Sequence, residues 1–356
     1  LKHRSDTMRN LAIGILGLGL MFMTTGNTWA KPQATAANSN AADIEASKTD
    51  ATPPEVAFSY PEEFVQGEYS GTMLVDGRWQ TYGMQVVARG SGKFSAKLFS
   101  GGLPSEKNLR PYPTELEGQV QDNHLRLKSV GGLEFEFLAA PVYQFVQYDS
   151  QRKIMAQLLR IQRYSTTLGL VPPAGAVVLF RDGQIGELAN ASLSPAGNLA
   201  IGATTNFPVE DFRLHVEFRL PFQADKSNQD RGNSGIYIQR RYELQILDSF
   251  GEPPLENNAG SIYKRIAPLG NMSLPPLAWQ TYDIWFTAAR WTPDGKKISN
   301  ARVTLKHNGI VVHDNTEIPG KTGAGWAEGP EPQAILFQDH RDPVEFRNVW
   351  LVKGTH

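Results

Sequence analysis

A stretch near the middle of the chain alternates apolar and polar side chains without interruption. The alternating residues, in order, are Phe212, Arg213, Leu214, His215, Val216, Glu217, Phe218, Arg219 and Leu220. Successive side chains of a β-strand point to opposite sides, whereas a helix repeats about every 3.6 residues, so this period of two argues against a helix. The stretch predicts a strand with one face in an apolar core and a polar opposite face.

Further segments predict strands on both sides of this one. Asn308-Gly309 separates two apolar runs and is typical of a two-residue hairpin turn, because both residues tolerate positive φ. Other predicted strands are residues 176–180, 235–239, 242–247, 281–287, 335–338 and 344–352. The 33 glycines and 23 prolines also favour a turn-rich β protein over a helical one. We therefore predict an all-β chain with two packed antiparallel sheets, a sandwich or jelly roll, at residues 175–356.

A second β-rich region is predicted before the sandwich. Residues 84–88 and 94–99 flank a glycine-containing turn, and Leu133, Phe135 and Phe137 alternate with acidic residues. No spacing in this region is typical of a catalytic constellation. We therefore predict a smaller accessory β domain at residues 59–165.

The N-terminal segment has the pattern of an export signal. Basic residues precede an apolar run at residues 11–23, which is shorter than the roughly 20 residues that span a bilayer. Thr28-Trp29-Ala30 then ends in a small residue, as signal cleavage requires. We predict a cleaved signal peptide at residues 1–30, a disordered linker at 31–58, and an exported, periplasmic or extracellular protein without a transmembrane segment in its mature form.

Charge and cysteine content exclude several classes of partner and site. The 35 lysines and arginines nearly balance the 36 acidic residues, so no strong field attracts nucleic acid or an anionic membrane. Because the chain has no cysteine, disulfides, zinc–thiolate sites and thiol nucleophiles are excluded.

Four segments carry a pattern of motifs in a fixed order. They are DFRLH at 211–215, RGNSGIY at 231–237 with YELQILDS at 242–249, GSIY at 260–263 with WQTYD at 279–283, and LFQDH at 336–340 with FRNVW at 346–350. In these motifs the region from about residue 175 onward resembles the 3-keto-disaccharide hydrolase domain family. The resemblance implies a concanavalin A-like jelly roll, export, and an enzyme that cleaves 3-keto-glycosides.

A ketone at C3 of a sugar ring makes a particular chemistry accessible. The ketone acidifies the C2 proton, so a base can form an enolate, and the glycosidic oxygen at C1 can leave by β-elimination. Hydration of the product can complete a net hydrolysis. The reaction needs a base, an enolate stabiliser and an acid, but not the two-carboxylate pair of ordinary glycosidases.

Strand parity predicts which polar side chains can meet. Glu243 and Gln245 are two residues apart and share one sheet face, as do Gln338 and His340. Glu217 lies on the polar face of the alternating strand. We expect these polar faces to combine on the concave surface of the jelly roll, where a carboxylate, an imidazole and a guanidinium would form an acid–base site.

These residues are given roles on the basis of the family resemblance and this parity. Glu243 is predicted as base or metal ligand, His340 as acid–base group or ligand, and Arg347 or Arg219 as oxyanion stabiliser, with Asp248 the alternative carboxylate. A divalent metal held by Glu243, His340 and a further oxygen would stabilise an enediolate, although no cofactor is certain. The residues expected to contact the carbohydrate are Asn233, Gln245, Tyr263, Gln338, Arg219 and Glu217.

Simpler interpretations stand beside each role. A glutamate such as Glu243 on a strand is commonly a solvated outer-face carboxylate, and His340 could close a surface turn. Large aromatics such as Tyr237 and Trp350 are predicted to be core residues. The same sandwich also serves non-catalytic, lectin-like carbohydrate-binding modules and cell-surface proteins, so the fold alone leaves function open. The enzyme hypothesis requires Glu243 and His340 to face a common cavity.

Overall fold

The computed structural model describes residues 61–354. The predicted signal peptide and linker lie outside the described residues. No helix within this range is long and apolar enough to cross a membrane.

The N-terminal part of the described chain is a short helix, α1, followed by eight antiparallel strands. They are α1 (Glu62–Val65), β1 (Gly67–Val75), β2 (Arg78–Ala88), β3 (Lys93–Ser100), β4 (Pro113–Gln121), β5 (His124–Lys128), β6 (Glu134–Leu138), β7 (Gln144–Tyr148) and β8 (Ile154–Ile161). Each strand pairs with the next, and β8 returns to pair with β1, so the sheet closes into a barrel without free edges. Buried side chains such as Tyr69, Phe135 and Phe145 fill its interior.

The remaining strands form a sandwich. They are β9 (Val177–Arg181), β10 (Gln184–Ile185), β11 (Leu188–Ala189), β12 (Leu199–Ala200), β13 (Thr204–Thr205), β14 (Phe212–Arg219), β15 (Asn233–Ile238), β16 (Tyr242–Leu247), β17 (Trp279–Thr287), β18 (Arg290–Trp291), β19 (Lys297–Ser299), β20 (Ala301–His307), β21 (Ile310–Ile318), β22 (Leu336–Phe337) and β23 (Glu345–Lys353). An eight-stranded sheet runs β10-β9-β23-β14-β17-β20-β21, with β12 beside β23. A five-stranded sheet runs β11-β13-β22-β15-β16, and β18 and β19 form a small ribbon.

The sandwich core lies between the two larger sheets. The alternating strand, β14, contributes Leu214, Val216 and Phe218, and the five-stranded sheet contributes Leu244 and Ile246, all to one buried cluster. Full burial of each such side chain stabilises the fold by roughly 1.5–3 kcal/mol. The predicted fold class, a jelly-roll sandwich preceded by a smaller β-rich domain, is confirmed.

Arginines connect the barrel to the sandwich, and all the described residues belong to one compact unit. Arg231 of the sandwich donates from Nη1 to the carbonyl of Ala88 (2.9 Å) and from Nη2 to Oε1 of Gln66 (3.1 Å) in the barrel region. Arg110, in the loop after β3, donates to the carbonyl of Leu269 (2.7 Å). The junction therefore includes directed polar contacts beside apolar ones, such as Phe222 packed against the barrel core.

Candidate functional site

The outer face of the five-stranded sheet carries a buried polar cluster. In the β15–β16 hairpin, Tyr237 lies opposite Glu243 and Gly235 lies opposite Gln245. Three residues, 239–241, connect the paired Ile238 and Tyr242, and the first two, Gln239 and Arg240, both have φ values near +52°. Since Leu244 and Ile246 point into the core, their neighbours point to the opposite, outer face.

Glu243 is the central carboxyl group of this cluster. It is 2% exposed, and its Oε2 accepts a hydrogen bond from the phenol of Tyr237 at 2.7 Å. Burial raises the pKa of Glu243 to about 7, and the bond from Tyr237 lowers it only in part. A carboxyl group that titrates near neutral pH can give and take protons under physiological conditions.

Gly235 allows Glu243 and Gln338 to approach each other. A Cβ atom at Gly235 would lie 2.6 Å from Oε1 of Glu243 and 3.2 Å from Oε1 of Gln338. The strand β22 pairs with β15, and the backbone N–H of Gln338 donates to the carbonyl of Gly235 at 2.8 Å. The predicted neighbourhood of the two motif strands is therefore present in the structure.

Amide side chains line a second side of the carboxyl group. Gln245 donates from Nε2 to Oδ1 of Asn233 and to Oε1 of Gln229, both at 3.1 Å. Asn233 in turn donates to the backbone carbonyl of Gln229 at 2.7 Å. Gln229 lies in a short 3-10 helix (Asn228–Asp230) and was not predicted; no local sequence pattern points to it.

Two loops close the remaining sides. Tyr263 donates its backbone N–H to the carbonyl of Glu243 at 3.0 Å, and the N–H of Glu243 donates to Oγ1 of Thr322 at 2.8 Å. Burial, reinforced by the adjacent Glu243, raises the pKa of Tyr237 far above its usual value, so its phenol remains a donor. The half-buried side chains of Gln338 and Tyr263 thus form part of a polar rim around Glu243.

The prediction that Tyr237 is a core residue is only partly correct. It is buried, as predicted, but it lies on the outer face rather than in the core, since it pairs with Glu243. The hairpin register explains this: three residues, 239–241, separate the paired Ile238 and Tyr242, so residue 237 opposes residue 243.

Three of the predicted site residues lie on the other side of the sandwich. Glu217 accepts from Nε of Arg347 at 2.8 Å, and Arg219 pairs with Glu345 at 2.9 Å. All of them belong to the eight-stranded sheet, whose apolar face packs towards the five-stranded sheet, so its polar face points away from Glu243. The prediction that Glu217, Arg219 and Arg347 converge with Glu243 is wrong.

Asp248 forms an ion pair with Arg231. Its Oδ2 accepts from Nε of Arg231 at 2.6 Å, and both side chains are almost fully buried. Because Arg231 also contacts the barrel, this pair helps to fix the junction, and the structure does not support Asp248 as the alternative catalytic carboxylate.

His340 follows Gln338 by two residues and is exposed. Within the described part of the chain it has no hydrogen-bond partner, and its acid–base role stays a prediction. Among residues 61–354, no group of three or more His, Cys, Asp or Glu residues is placed to hold a metal ion. The Glu243 side chain instead contacts the phenol of Tyr237 and the amide of Gln245.

Comparisons with known proteins identify the sandwich region. A profile of the 3-keto-alpha-glucoside-1,2-lyase-like domain matches residues 171–352. A search of curated proteins found no match.

Three solved structures from Parabacteroides distasonis, each described as a candidate glycosyl hydrolase, are similar to this chain. One, at 2.13 Å resolution, is 33% identical, with 51% of this chain and 85% of that chain covered and a TM-score of 0.46. A second is 17% identical, with 51% and 89% covered and a TM-score of 0.34. A third is 20% identical, with 46% and 90% covered and a TM-score of 0.33.

The family match covers just over half of the chain and includes the whole Glu243 cluster. The protein belongs to the 3-keto-alpha-glucoside-1,2-lyase-like domain family and is a carbohydrate-active enzyme.

Proposed function

We propose that this protein cleaves glycosidic bonds of 3-keto-glycosides by C2 deprotonation and β-elimination, with or without subsequent hydration. The observation that carries the proposal is Glu243, a buried carboxyl group with a pKa of about 7, hydrogen-bonded to Tyr237 on the outer face of the family domain. Elimination next to a ketone needs proton transfer at neutral pH, which a carboxyl group with an ordinary pKa performs poorly.

Neighbouring groups supply the other contacts in this proposal. The Oε1 atom of Gln338 is buried and has no hydrogen-bond partner among the described residues, so a movement of this side chain would let it accept a hydrogen bond from a sugar hydroxyl. Tyr263 offers a half-buried ring beside it. His340, exposed two residues beyond Gln338, is proposed as the second proton-transfer group, with no requirement for Arg219 or Arg347.

The N-terminal pattern supports a location for this activity. The basic residues, the apolar run at 11–23 and the small residue Ala30 are typical of a signal peptide. We propose that the enzyme acts outside the cytoplasm, and fractionation with mass analysis of the mature N-terminus would test this.

The decisive experiment is incubation of the purified protein with a 3-keto-glucoside, with and without a chelator. We expect release of the aglycone, insensitivity to the chelator, and loss of activity in Glu243→Gln. Binding of the glycoside without turnover would overturn the proposal and favour a lectin-like module. Inhibition by the chelator would instead indicate that the reaction depends on a metal ion.

A further inference from the structure

The orientation of one side-chain amide, that of Gln245, decides which protonation state of Glu243 the cluster favours. One end of this amide lies 3.1 Å from Oε1 of Glu243 and 3.3 Å from the carbonyl of Ser234. The other end lies 3.1 Å from Oδ1 of Asn233 and 3.1 Å from Oε1 of Gln229. Because an amide has an oxygen at one end and a nitrogen at the other, only one end can donate.

Two backbone carbonyls fix the neighbouring amides. Asn233 donates from Nδ2 to the carbonyl of Gln229 at 2.7 Å, and Gln229 donates from Nε2 to the carbonyl of Asn257 at 2.8 Å. A carbonyl can only accept, so these nitrogens cannot exchange places with their oxygens. The oxygens of Asn233 and Gln229 therefore both face Gln245, which must turn its nitrogen towards them.

This orientation directs the oxygen of Gln245 towards Oε1 of Glu243. Two oxygens 3.1 Å apart repel each other unless a proton lies between them. A proton on Oε1 of Glu243 turns the contact into a hydrogen bond, while Oε2 continues to accept from Tyr237. The reversed amide would bond to Glu243 and Ser234 but would place its oxygen against two acceptors at 3.1 Å. With the proton on Glu243, only the longer 3.3 Å contact with Ser234 stays unmatched.

We propose that Gln245, held by Asn233 and Gln229, keeps Glu243 protonated in the resting enzyme, so that Glu243 acts first as the acid rather than as the C2 base. This role rests on the proposed function. As a base removes the C2 proton, the electron pair forms the C1–C2 double bond and the C1–O bond breaks. The leaving oxygen takes the Glu243 proton. If water then adds at C1, its proton restores Glu243 while C2 regains a proton from the base.

Charged neighbours do not account for this protonation state. The titratable or charged side chains on the elements that pack around Glu243 are Asp230, Arg231, Tyr237, Arg240, Arg241, Tyr242, Tyr263, Lys264, Arg265, Lys321, Asp339 and His340. Of these, Tyr237 is the one that acts on the Glu243 carboxyl, and it lowers the pKa. Arg231 is paired with Asp248, and Lys321 donates to the carbonyl of Gly325 at 2.9 Å.

The sign of one pKa change tests the proposal without any substrate. We would follow the carboxyl carbons of ¹³C-labelled glutamate by NMR against pH, assigning Glu243 by its loss in Glu243→Gln. In Gln245→Met the protonated form loses its acceptor, so the midpoint should fall by about one pH unit. A rise would show that the amide nitrogen faces the carboxylate, and no change would show that Gln245 is not involved. Either result would overturn the proposal.

Two further variants and one measurement complete the experiment. Gln229→Met should lower the midpoint by less, since Asn233 still orients Gln245, and a rise would contradict the proposal. Gln280→Met, a buried glutamine of the opposite sheet, should leave it unchanged. If Gln245→Met does not fold, infrared spectra of the wild type below about pH 7 must show a protonated-carboxyl band that Glu243→Gln lacks. Its absence would refute the assignment. If the wild type does not cleave a 3-keto-glucoside but retains this titration, the proposed function is wrong and the role of Gln245 in protonating Glu243 still stands.

Discussion

Each outer face of the sandwich carries a carboxyl group that is almost fully buried, but the pKa is lowered on one face and raised on the other. Glu217, on the eight-stranded sheet, is 1% exposed, and Glu243, on the five-stranded sheet, is 2% exposed. Burial would raise the pKa of Glu217, but His215, 3.6 Å away, and hydrogen bonds from Asn348, Arg347 and the backbone of Gly169 lower it to about 2. Glu243 has no cationic partner among the described residues, and its pKa rises to about 7. The partners, rather than the depth, separate a structural carboxylate from a proton donor.

The Glu217 cluster fastens the segment that joins the barrel to the sandwich. Glu217 accepts from the N–H of Gly169 at 2.6 Å, and the carbonyl of Leu170 accepts from Asn348 at 3.0 Å and from the indole of Trp350 at 3.2 Å. His215 lies beneath, with Nδ1 at 2.8 Å from Asp283. This face is therefore covered by its own chain and is used for stability.

The largest effect should distinguish the two glutamates by activity. Glu243→Gln removes the proton that can be transferred, so turnover on a 3-keto-glucoside should fall by about 10²–10⁴-fold. Glu217→Gln is the matched control and should retain turnover per folded molecule. Steady-state kinetics, with circular dichroism to verify folding, would measure both variants. Equal losses of turnover would show that Glu243 has no catalytic role that Glu217 lacks.

The second effect tests the space at Gly235. An alanine Cβ would lie 2.6 Å from Oε1 of Glu243, so Gly235→Ala must displace the carboxyl group. We expect turnover to fall by about 10²-fold, as misplacement by about 1 Å does elsewhere. The kinetics should be measured beside thermal unfolding. Unchanged kcat in a folded variant would mean that the position of Glu243 is not critical.

A third effect concerns stability on the eight-stranded face. Glu217→Gln leaves Arg347 without its anion and His215 with Asp283 alone, and we expect the free energy of unfolding to fall by about 2 kcal/mol. This value lies below the range for fully buried pairs because Arg347 is partly exposed. Urea unfolding would measure it. Glu317→Gln, in an exposed pair with Arg302, should cost less than about 1 kcal/mol, and an equal loss there would contradict the assignment.

The smallest effect is the pH dependence of stability. Burial by itself would lower the pKa of His215, but the hydrogen bond with Asp283 and the nearby carboxylate of Glu217 raise it overall. A raised folded-state pKa means that the stabilisation is fully present below about pH 6.5 and is lost as pH rises through the folded value. The lowered pKa of Glu217 acts oppositely, and its contribution is lost as pH falls from about 4.5 towards 2.

Urea midpoints between about pH 3 and 9 would show this window. In His215→Gln we expect the loss on the alkaline side, of the order of 1 kcal/mol, to disappear while the acid-side loss persists. A wild type whose stability stays constant through the alkaline range would remove His215 from this role.

Local patterns in the chain were enough for the strands and for part of the site. The alternation at 212–220 predicts β14 and its buried face because side-chain direction in a strand depends only on parity. The spacing of Glu243 and Gln245 likewise places them together on one face, and the order of the motifs identifies the family. These inferences need only contacts between near neighbours or a matched pattern.

Only the tertiary structure decided which polar strand faces come together in one site. Like Glu243, the residues Glu217, Arg219 and Arg347 occupy polar positions in their strands. They nevertheless lie on a different sheet, and the hydrophobic core separates that sheet from the one that carries Glu243. Sheet membership follows from pairings between distant segments, such as β14 with β23 and β15 with β22. Likewise, Gln229 reaches Gln245 through a loop whose path no local pattern specifies. The sequence by itself determined the faces of the strands; long-range pairing determined which faces meet, and hence which carboxyl group is left without a countercharge.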